Sequence, residues 1–255
     1  MYKEERRRLI MEHIEQEGSL TVTEMAAKLG VSEVTIRKDI RHLAAMDLVE
    51  RTHGGALRKS LAPHVFSFRG RQQRNIKEKT QIGRFCASLV TDGQLIILDS
   101  GTTTFKIAEN ISSKRLRVMT NNILIATELL KWNTVSVTLV GGAYRELSIP
   151  LTGETAERLL RTTKDVDLAF ISCSGIGRDG VVYNDYAPEV GTKRAMISAA
   201  RQAVLVADSS KVGLTGAVPF ASLHDFDHLV TNRAPAIEPI LNSLLETTNI
   251  IISQA

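Results

Sequence analysis

Residues 31–43 read VSEVTIRKDIRHL, and this stretch decides the fold of the N-terminal part of the chain. Its apolar side chains Ile36, Ile40 and Leu43 recur at spacings of four and three, which places them on one face of a helix. Ser32 stands directly before that helix and belongs to the residue types that cap helix N-termini. Because the opposite face is polar and basic, the pattern predicts an amphipathic helix that leaves a charged surface for a partner.

Two further helical patterns precede this one. Residues 3–17 repeat apolar side chains at helical spacing and end at Gly18. Residues 21–24, TVTE, fit a capping box in which the Thr21 and Glu24 side chains satisfy each other's backbone donors. The helix that follows ends at Gly30. Two short helices joined by a tight turn predict a helix-turn-helix unit.

The second helix of such a unit enters the major groove of DNA, where its N-terminal half meets the bases. Residues 48–59 then alternate around a His-Gly-Gly turn, which predicts a two-stranded wing with basic side chains for phosphates. The predicted DNA-binding residues are Ser32, Glu33, Thr35, Arg37, Lys38, Arg41, Arg51, His53 and Arg58.

Basic residues are concentrated between Arg37 and Arg84, where twelve Lys and Arg stand against four acids. The whole chain of 255 residues has a formal net charge of +4, so the remainder is mildly acidic. A basic band beside an acidic remainder indicates a polyanion-binding module joined to a second domain. A solvated linker would explain the same charges and stays open as an alternative.

Composition excludes several classes of protein. No stretch has the roughly 18 uninterrupted apolar residues that a membrane span needs, and the first residues lack the apolar region of a signal peptide. The two cysteines, Cys86 and Cys173, make neither a disulfide framework nor a thiolate metal site. The histidines show no zinc-type spacing with cysteines. We therefore expect a cytoplasmic, nucleoid-bound protein without membrane contact, metal or cofactor.

The pattern changes in the second part of the chain, where short apolar runs alternate with helical runs. For example, a helix predicted at 188–202 precedes a strand at 203–207. Such alternation implies an α/β domain with a mostly parallel sheet. The predicted domains are a winged helix-turn-helix at 1–57, a basic linker at 58–78 and the α/β domain at 79–255.

Polar clusters follow several of these predicted strands. Ligands of open α/β sheets bind beyond the carboxyl ends of the strands. Residues 99–104, DSGTTT, combine a glycine, hydroxyls and backbone donors at a helix start, which suits a phosphate. Lys211 would add a counter-charge, and Asn121 and Asn122 would bond to sugar hydroxyls. Each cluster alone is better explained by capping or turn chemistry, so the prediction depends on their convergence at one sheet edge.

Two nucleotide motifs are excluded. Residues 175–180, GIGRDG, spell the dinucleotide fingerprint, but the strand-like residues 181–183 follow where a helix is required. The chain also lacks a glycine-rich run that ends in Lys-Ser or Lys-Thr, so a P-loop is absent from the sequence. We therefore predict neither a dinucleotide site nor a nucleoside-triphosphate site.

Taken together, these features resemble the DeoR-type family of bacterial sugar-metabolism regulators over nearly the whole chain. The motifs that carry the resemblance are ERR at 5–7, EMA at 24–26, VS at 31–32, TIRKDI at 35–40, RTHGGA at 51–56, DSGTT at 99–103, TN at 120–121, GG at 141–142, Glu189 with Lys193, and DSSK at 208–211. One departure is Lys38, where the family usually has a second arginine. Lysine keeps the charge but loses bidentate geometry, which favours a phosphate contact over base reading.

The resemblance implies a sensor domain similar in fold to ribose-phosphate isomerases. It also implies a homo-oligomer that binds double-stranded operator DNA and represses a carbohydrate catabolism operon until a phosphorylated sugar or sugar alcohol relieves repression. The effector-binding residues predicted on this basis are Asp99, Ser100, Gly101, Thr102, Thr103, Thr104, Thr120, Asn121, Gly141, Gly142, Gly175, Glu189, Lys193 and Lys211.

Two other functions stay open at this point. A sugar-phosphate isomerase tethered to DNA would use Asp99, Asp167, Glu189 and Lys211 for acid–base chemistry. The glycine-rich lead-in expected before Glu189 in such enzymes is missing, and fold analogy alone does not carry function. A non-specific architectural DNA binder would explain the basic band but leaves the polar strand ends without a role. We expect a regulator that is not an enzyme.

Overall fold

The computed structural model describes residues 3–45, 48–52, 54–58, 68–143, 150–248 and 250–254. Contacts divide the chain into two compact units, Met1–Val65 and Phe66–Ala255. Among the described residues, the first unit has one hydrophobic cluster, and the second has two clusters, one on each face of its large sheet. Each unit therefore buries its own core, as expected of a domain.

The described part of the first unit contains three helices and a small sheet. Its elements are α1 (Lys3–Glu17), β1 (Ser19–Thr21), α2 (Val22–Leu29), α3 (Glu33–Ala45), β2 (Val49–Arg51) and β3 (Gly55–Arg58). The sheet is antiparallel with β3 in the centre. Ile36, Ile40 and Leu43 of α3 are buried with Ile10 and Ile14 of α1. The predicted apolar faces of both helices are thereby confirmed.

The turn between α2 and α3 has the predicted chemistry. Gly30 adopts φ 65°, a left-handed conformation that ends α2 at low steric cost. The Thr35 N–H donates to Ser32 Oγ at 3.3 Å, so Ser32 caps the start of α3. The two helices are therefore joined by the tight turn that a helix-turn-helix unit needs.

The start of α2 differs in part from the predicted capping box. The Glu24 N–H donates to Thr21 Oγ1 at 3.2 Å, which is the expected half. The Thr21 hydroxyl then donates to the Glu24 carboxylate at 2.7 Å. The other predicted bond, from the Thr21 N–H to the Glu24 carboxylate, is wrong. Thr21 is the last residue of β1, and its backbone pairs with Gly55 instead.

Asp39 ties α3 to α1. Its side chain is buried, and its two oxygens accept from Arg6 Nε at 2.5 Å and from Arg7 Nε at 2.9 Å. Two charge-assisted bonds from neighbouring residues of one helix fix the rotation of α3 as well as its distance. Asp39 belongs to the conspicuous TIRKDI motif, yet it faces inward and holds the outward-facing residues in place.

We expect Asp39→Asn to destabilise the first unit by about 2 to 3 kcal/mol, because two partly buried guanidinium groups lose their counter-charge. The measurement is amide hydrogen exchange of α1 and α3 in the full-length protein, which should become faster. Glu12→Gln is the control, since the Arg8–Glu12 pair on α1 is exposed and is worth only a few tenths of a kcal/mol. Unchanged exchange in Asp39→Asn would show that the pair is dispensable.

The second unit is built on a parallel sheet. Its elements are α4 (Phe68–Gln73), α5 (Ile76–Leu89), β4 (Leu95–Leu98), α6 (Thr102–Ala108), β5 (Leu116–Thr120), α7 (Ile123–Leu129), β6 (Val135–Leu139), α8 (Glu154–Thr162), β7 (Val166–Ser172), β8 (Gly175–Ile176), β9 (Val181–Asn184), α9 (Val190–Ala199), β10 (Ala200–Val206), β11 (Val218–Ser222), β12 (His228–Thr231), α10 (Glu238–Thr247) and β13 (Ile251–Gln254). The large sheet has the order β13-β12-β10-β7-β4-β5-β6, and all its pairs are parallel. The predicted α/β class is confirmed.

The order of the sheet places a switch point between β4 and β7. From β4 the chain proceeds outward through β5 and β6, and from β7 it proceeds in the other direction through β10, β12 and β13. Side chains of β4 alternate between the two hydrophobic clusters, with Ile97 in one and Ile96 in the other. A crevice forms outside the carboxyl ends of the two strands at such a point, and ligands of open α/β sheets bind there.

Two boundaries differ from the sequence prediction. Residues 68–78 were assigned to the linker 58–78, but they form α4 and the first turn of α5. Phe68 is buried edge-on against Phe105, with the ring centroids 5.8 Å apart. The helix predicted at 188–202 ends at Ala199, because Ala200 already pairs with Val166 in the sheet. Long-range contacts override local propensity in both cases.

Residues 175–184 form an antiparallel hairpin of β8 and β9, which β11 extends. The exclusion of a dinucleotide fingerprint is confirmed, since strand β9 stands where that motif requires a helix. Within the described ranges, no helix combines the length and apolar character needed to cross a bilayer.

Candidate functional sites

The outward face of α3 is basic. Arg37, Lys38 and Arg41 are exposed, and they lie opposite the buried Ile36 and Ile40. We call these three residues the basic face of α3. The helix therefore presents cationic side chains outward while its apolar side anchors it in the core.

A groove of about 650 Å³ runs between α3 and the wing. Arg37 and Arg41 line it from the helix, and Arg51 with Thr52 lines it from β2 and the residue after it. Three arginines around one concave surface attract a polyanion, and guanidinium groups suit phosphate geometry. The groove joins the two elements that the sequence analysis assigned to DNA contact.

The other predicted DNA-binding residues make short contacts within the unit. The hydroxyls of Ser32 and Thr35 lie 2.9 Å apart, and Glu33 accepts from Thr23 Oγ1 at 2.8 Å. Arg37 approaches Glu33 only loosely, at 3.5 Å between exposed groups. The described residues do not include His53. The same holds for the side chain of Arg58, whose backbone pairs with Val49 in the wing.

In the second unit, Asp99 and Lys193 form a buried ion pair at the switch point. Lys193 Nζ lies 2.5 Å from Asp99 Oδ2 and donates to the Ser172 carbonyl at 2.9 Å. The N–H and hydroxyl of Ser172 also donate to Asp99 Oδ2, at 3.0 and 2.6 Å. Burial alone would raise the pKa of Asp99, but the ammonium and the Ser172 bonds hold it below its usual value.

Glu189 borders this pair. It ends a short 3-10 turn before α9, and its Oε2 accepts from Asn184 Nδ2 at 3.1 Å. Burial raises the pKa of Glu189 above its usual value, although the nearby Lys193 opposes the shift. A carboxyl group in this state holds a proton more readily than a solvated glutamate does, and it then donates as well as accepts hydrogen bonds.

A second cationic group lies at the carboxyl end of β10. Lys211 Nζ donates to the Cys173 carbonyl at 2.6 Å. Lys79 is buried nearby and donates to the carbonyls of Arg71 and Arg74, each at 2.6 Å. Burial, followed by the charge of Lys211, lowers the pKa of Lys79 to about 8, despite the opposing effect of Asp208. The ammonium groups are therefore close enough to repel one another.

The loop 99–104 is fixed tightly at this edge. A Cβ on Gly101 would lie 2.3 Å from the Ser172 side chain, so only glycine fits there. The Asn122 side chain donates to the Ser100 carbonyl at 3.0 Å. The Thr104 hydroxyl contacts the Asp99 and Gly101 carbonyls, at 2.5 and 2.7 Å, and it is engaged within the loop.

Several other predicted effector residues contact their neighbours within the unit. Thr120 accepts from the Asn122 N–H at 3.2 Å. Asn121 donates through Nδ2 to the Leu151 carbonyl at 3.1 Å. Both Gly142 and Gly175 face a neighbouring backbone so closely that a Cβ would clash with it, at 2.6 and 2.5 Å respectively. Gly141 meets only a methyl group at 3.9 Å. The part of the chain that the structure describes holds no cluster of three metal-ligating side chains.

Comparison with known proteins covers both units. A model of the DeoR C terminal sensor domain matches residues 74–233, and a model of the DeoR-like helix-turn-helix domain matches residues 6–61. The chain belongs to the DeoR family. It is thus a DNA-binding transcription regulator, and the resemblance inferred from the sequence is confirmed.

Two relatives illustrate the similarity of this DeoR-family chain. The HTH-type transcriptional repressor GlcR of Bacillus subtilis is 33% identical over 235 residues, which cover 92% of this chain and 90% of GlcR. The glycerol-3-phosphate regulon repressor of Haemophilus influenzae is 33% identical over 242 residues, with 94% and 93% covered. Among solved structures, ribose 5-phosphate isomerase A from Methanocaldococcus jannaschii aligns with 54% of this chain and 55% of its own, at 14% identity and a TM-score of 0.40.

Three cationic residues of this DeoR-family chain were not predicted from the sequence. Arg71 and Arg74 lie in the segment predicted as a linker, and Lys79 stands at its edge outside any motif. The structure brings Lys79 beside Lys211, and it brings Arg71 close enough to Glu189 to affect that group's pKa. The only signal in the sequence was the basic band, which does not separate a DNA contact from a sensor contact.

We expect Lys193→Met to destabilise the protein by about 3 to 5 kcal/mol at neutral pH, because a buried carboxylate loses its counter-charge. In the wild type the folded pKa of Asp99 is lowered, so the pair contributes fully above about pH 4 and is lost only in stronger acid. In the variant, burial raises the Asp99 pKa, so the folded state binds the extra proton. The loss of stability should therefore be larger at pH 8 than at pH 5.

Urea unfolding at the two pH values measures this difference. Arg201→Met is the matched control, since its partner Asp165 is exposed and the pair contributes little at either pH. A loss of stability in Lys193→Met that is the same at both pH values would contradict the assignment of Asp99 as the affected group.

Proposed function

We propose that this chain is a homo-oligomeric repressor that acts in the cytoplasm on a carbohydrate catabolism operon and releases its operator when a phosphorylated sugar or sugar alcohol binds. The observation that carries the proposal is that each unit has its own group of cationic side chains. Exposed arginines surround a groove in the first unit, and the buried Lys79 lies close to Lys211 near the carboxyl end of β10 in the second. The names of the relatives, which include a glycerol-3-phosphate regulon repressor, support this class of effector.

On the DNA side, α3 enters the major groove and the wing contacts the backbone. The basic face of α3 and Arg51 neutralise phosphates, and this part of the affinity is independent of sequence. Arg37 lies nearest to the helix start among the basic residues, so it is the one best placed to reach a base edge. A guanidinium binds guanine O6 and N7 with two hydrogen bonds.

On the effector side, Lys211 and Lys79 receive the phosphate and the neighbouring hydroxyl and amide groups receive the sugar. The low pKa of Lys79 supports this, because an anion would relieve the repulsion between the two ammonium groups. Thr103 Oγ1 and Asn121 Oδ1 are buried without a hydrogen-bond partner in the described part of the chain. Buried polar atoms are normally satisfied, and the hydroxyls of a sugar would satisfy these two.

Repression is relieved only if the effector binds the DNA-competent and DNA-incompetent states with different affinity. In an oligomer, the quantity that changes is the way in which two α3 helices are presented to paired half-sites. The direct experiment is footprinting at the promoter beside the chain's own gene, with and without a panel of sugar phosphates. Absence of sequence-selective protection would contradict the proposal.

We expect the two sites to be separable by mutation. Arg37→Ala should weaken operator binding by about tenfold, the effect of losing one good base or phosphate contact. It should leave the affinity for the active sugar phosphate unchanged. Lys211→Ala and Thr102→Ala should keep operator binding but abolish release by the effector. Gel-shift titration and calorimetry give the two affinities, and the modular picture is wrong if each variant, while folded, loses both activities.

Effector affinity should fall as the pH rises from 7 to 9. Only the protonated Lys79 attracts a phosphate, and its pKa is about 8 in the free protein. A bound anion raises that pKa, so binding takes up a proton in this window, well above the second pKa of a phosphate monoester near 6. Lys79→Arg, which stays charged, should flatten the profile. Calorimetry in two buffers of different ionisation enthalpy counts the proton, and zero uptake at pH 8 would exclude Lys79.

An isomerase is the second candidate, and the raised pKa of Glu189 beside Lys193 is the observation that favours it. Such a carboxyl group is suited to moving a proton between adjacent carbons of a bound sugar phosphate. We expect no turnover, because Asp99 and Lys193 form an ion pair with each other. A coupled assay across pentose and hexose phosphates tests this, and turnover that Glu189→Gln abolishes would establish the enzyme.

A further inference from the structure

The first turn of α3 exposes a large apolar side chain to which the proposed function assigns no role. Val34 is 61% exposed, and it precedes Arg37, Lys38 and Arg41 by three, four and seven residues. This spacing puts Val34 on the same side of the helix as the basic face. Val34 also lines the groove between α3 and the wing, together with Arg37 and Arg41.

Stability of the free protein gives no reason for valine at this position. An exposed β-branched residue gains little from burial, and it lowers helix propensity relative to alanine. The rest of that helix side is cationic, and the core of the unit is formed by the opposite side. The apolar group is therefore placed where a polyanionic partner meets the helix.

We propose that Val34 packs against the 5-methyl group of a thymine in the major groove and thereby selects that base at one position of each operator half-site. The inference rests on the proposed function, since it requires sequence-specific binding by α3. The thymine methyl is the apolar group that base pairs present in the major groove, and apolar side chains recognise it. Residues in the N-terminal part of a recognition helix are the ones that reach base edges.

The chemistry of the neighbours fits this role. Arg37, Lys38 and Arg41 provide charge that draws α3 to the phosphates, but charge alone does not distinguish thymine from cytosine at a base edge. Valine has one preferred χ1 rotamer in a helix, so its two methyl groups are held in place before DNA binds. A rigid apolar contact loses little conformational entropy on binding and gains the burial of a methyl group.

The test begins with the full-length protein and a random pool of duplex DNA, from which the highest-affinity sequence is selected. Each thymine of that sequence is then replaced singly by deoxyuridine, which lacks only the 5-methyl group. At the position that Val34 contacts, the wild type should bind the uracil duplex about fourfold more weakly, the effect of one buried methyl group. The variant Val34→Ala should bind the thymine and uracil duplexes equally at that position.

Two controls separate this effect from a general loss of binding. Leu57 on the central strand of the wing is also exposed, at 42%, and Leu57→Ala should keep the wild-type sensitivity to uracil, because the methyl group lies in the major groove. Val34→Ala should also keep the wild-type salt dependence of binding, whereas Arg37→Ala should reduce it, because valine releases no counterion.

The outcomes distinguish this inference from the proposed function. Loss of uracil sensitivity at one thymine per half-site in Val34→Ala, and not in Leu57→Ala, supports a methyl contact. If a sequence is selected but Val34→Ala changes the sensitivity at none of its thymines, or the half-site holds no thymine, the inference is overturned while specific binding stands. If the pool yields no preferred sequence, the proposed function falls and the inference falls with it.

Discussion

The carboxylate of Asp99 lies between β4 and β7, the two strands from which the parallel sheet grows in opposite directions. Its Oδ2 accepts hydrogen bonds from the Lys193 ammonium and from the N–H and hydroxyl of Ser172. One buried oxygen therefore connects the end of β4, the end of β7 and helix α9. The low local dielectric makes each of these bonds strong and makes the loss of any one costly. These bonds fix the start of the loop 99–104 at the switch point, where Gly101 packs against the Ser172 side chain.

Sequence patterns predict those structural elements that depend on residues close to one another in the sequence. The apolar spacing of Ile36 and Ile40 and the cap at Ser32 suffice for α3, because helix periodicity and capping act within a few positions. The buried pair of Asp99 and Lys193 joins residues 94 positions apart. Asp99 was predicted from its place after a strand and Lys193 only from the family resemblance, and the pairing of the two residues was not predicted. Helix α4 escaped prediction because its six residues depend on a distant contact of Phe68.

The two candidate sites use charge in different ways. On α3 the cations are solvated, and the Arg37–Glu33 pair is long and exposed, so exchanging it for a phosphate costs little. In the sensor unit the cost of removing a cation from water is already present in the free protein, because Lys79 is buried beside Lys211. An exposed surface suits fast, salt-sensitive association with DNA. A desolvated cationic site suits selective capture of one small anion, because few other ligands supply the negative charge that the two lysines lack.

Under the proposed function, coupling between the sites is a difference in effector affinity between two states. Helix α4 is the first described element of the sensor unit, and Lys79 donates to the Arg71 and Arg74 carbonyls at and just beyond its end. An anion that attracts the Lys79 ammonium competes with those carbonyls for the same three protons. The group that senses the anion is thus also the group that fixes the end of α4. Effector binding and the position of the segment nearest the DNA-binding unit in sequence therefore depend on one ammonium group.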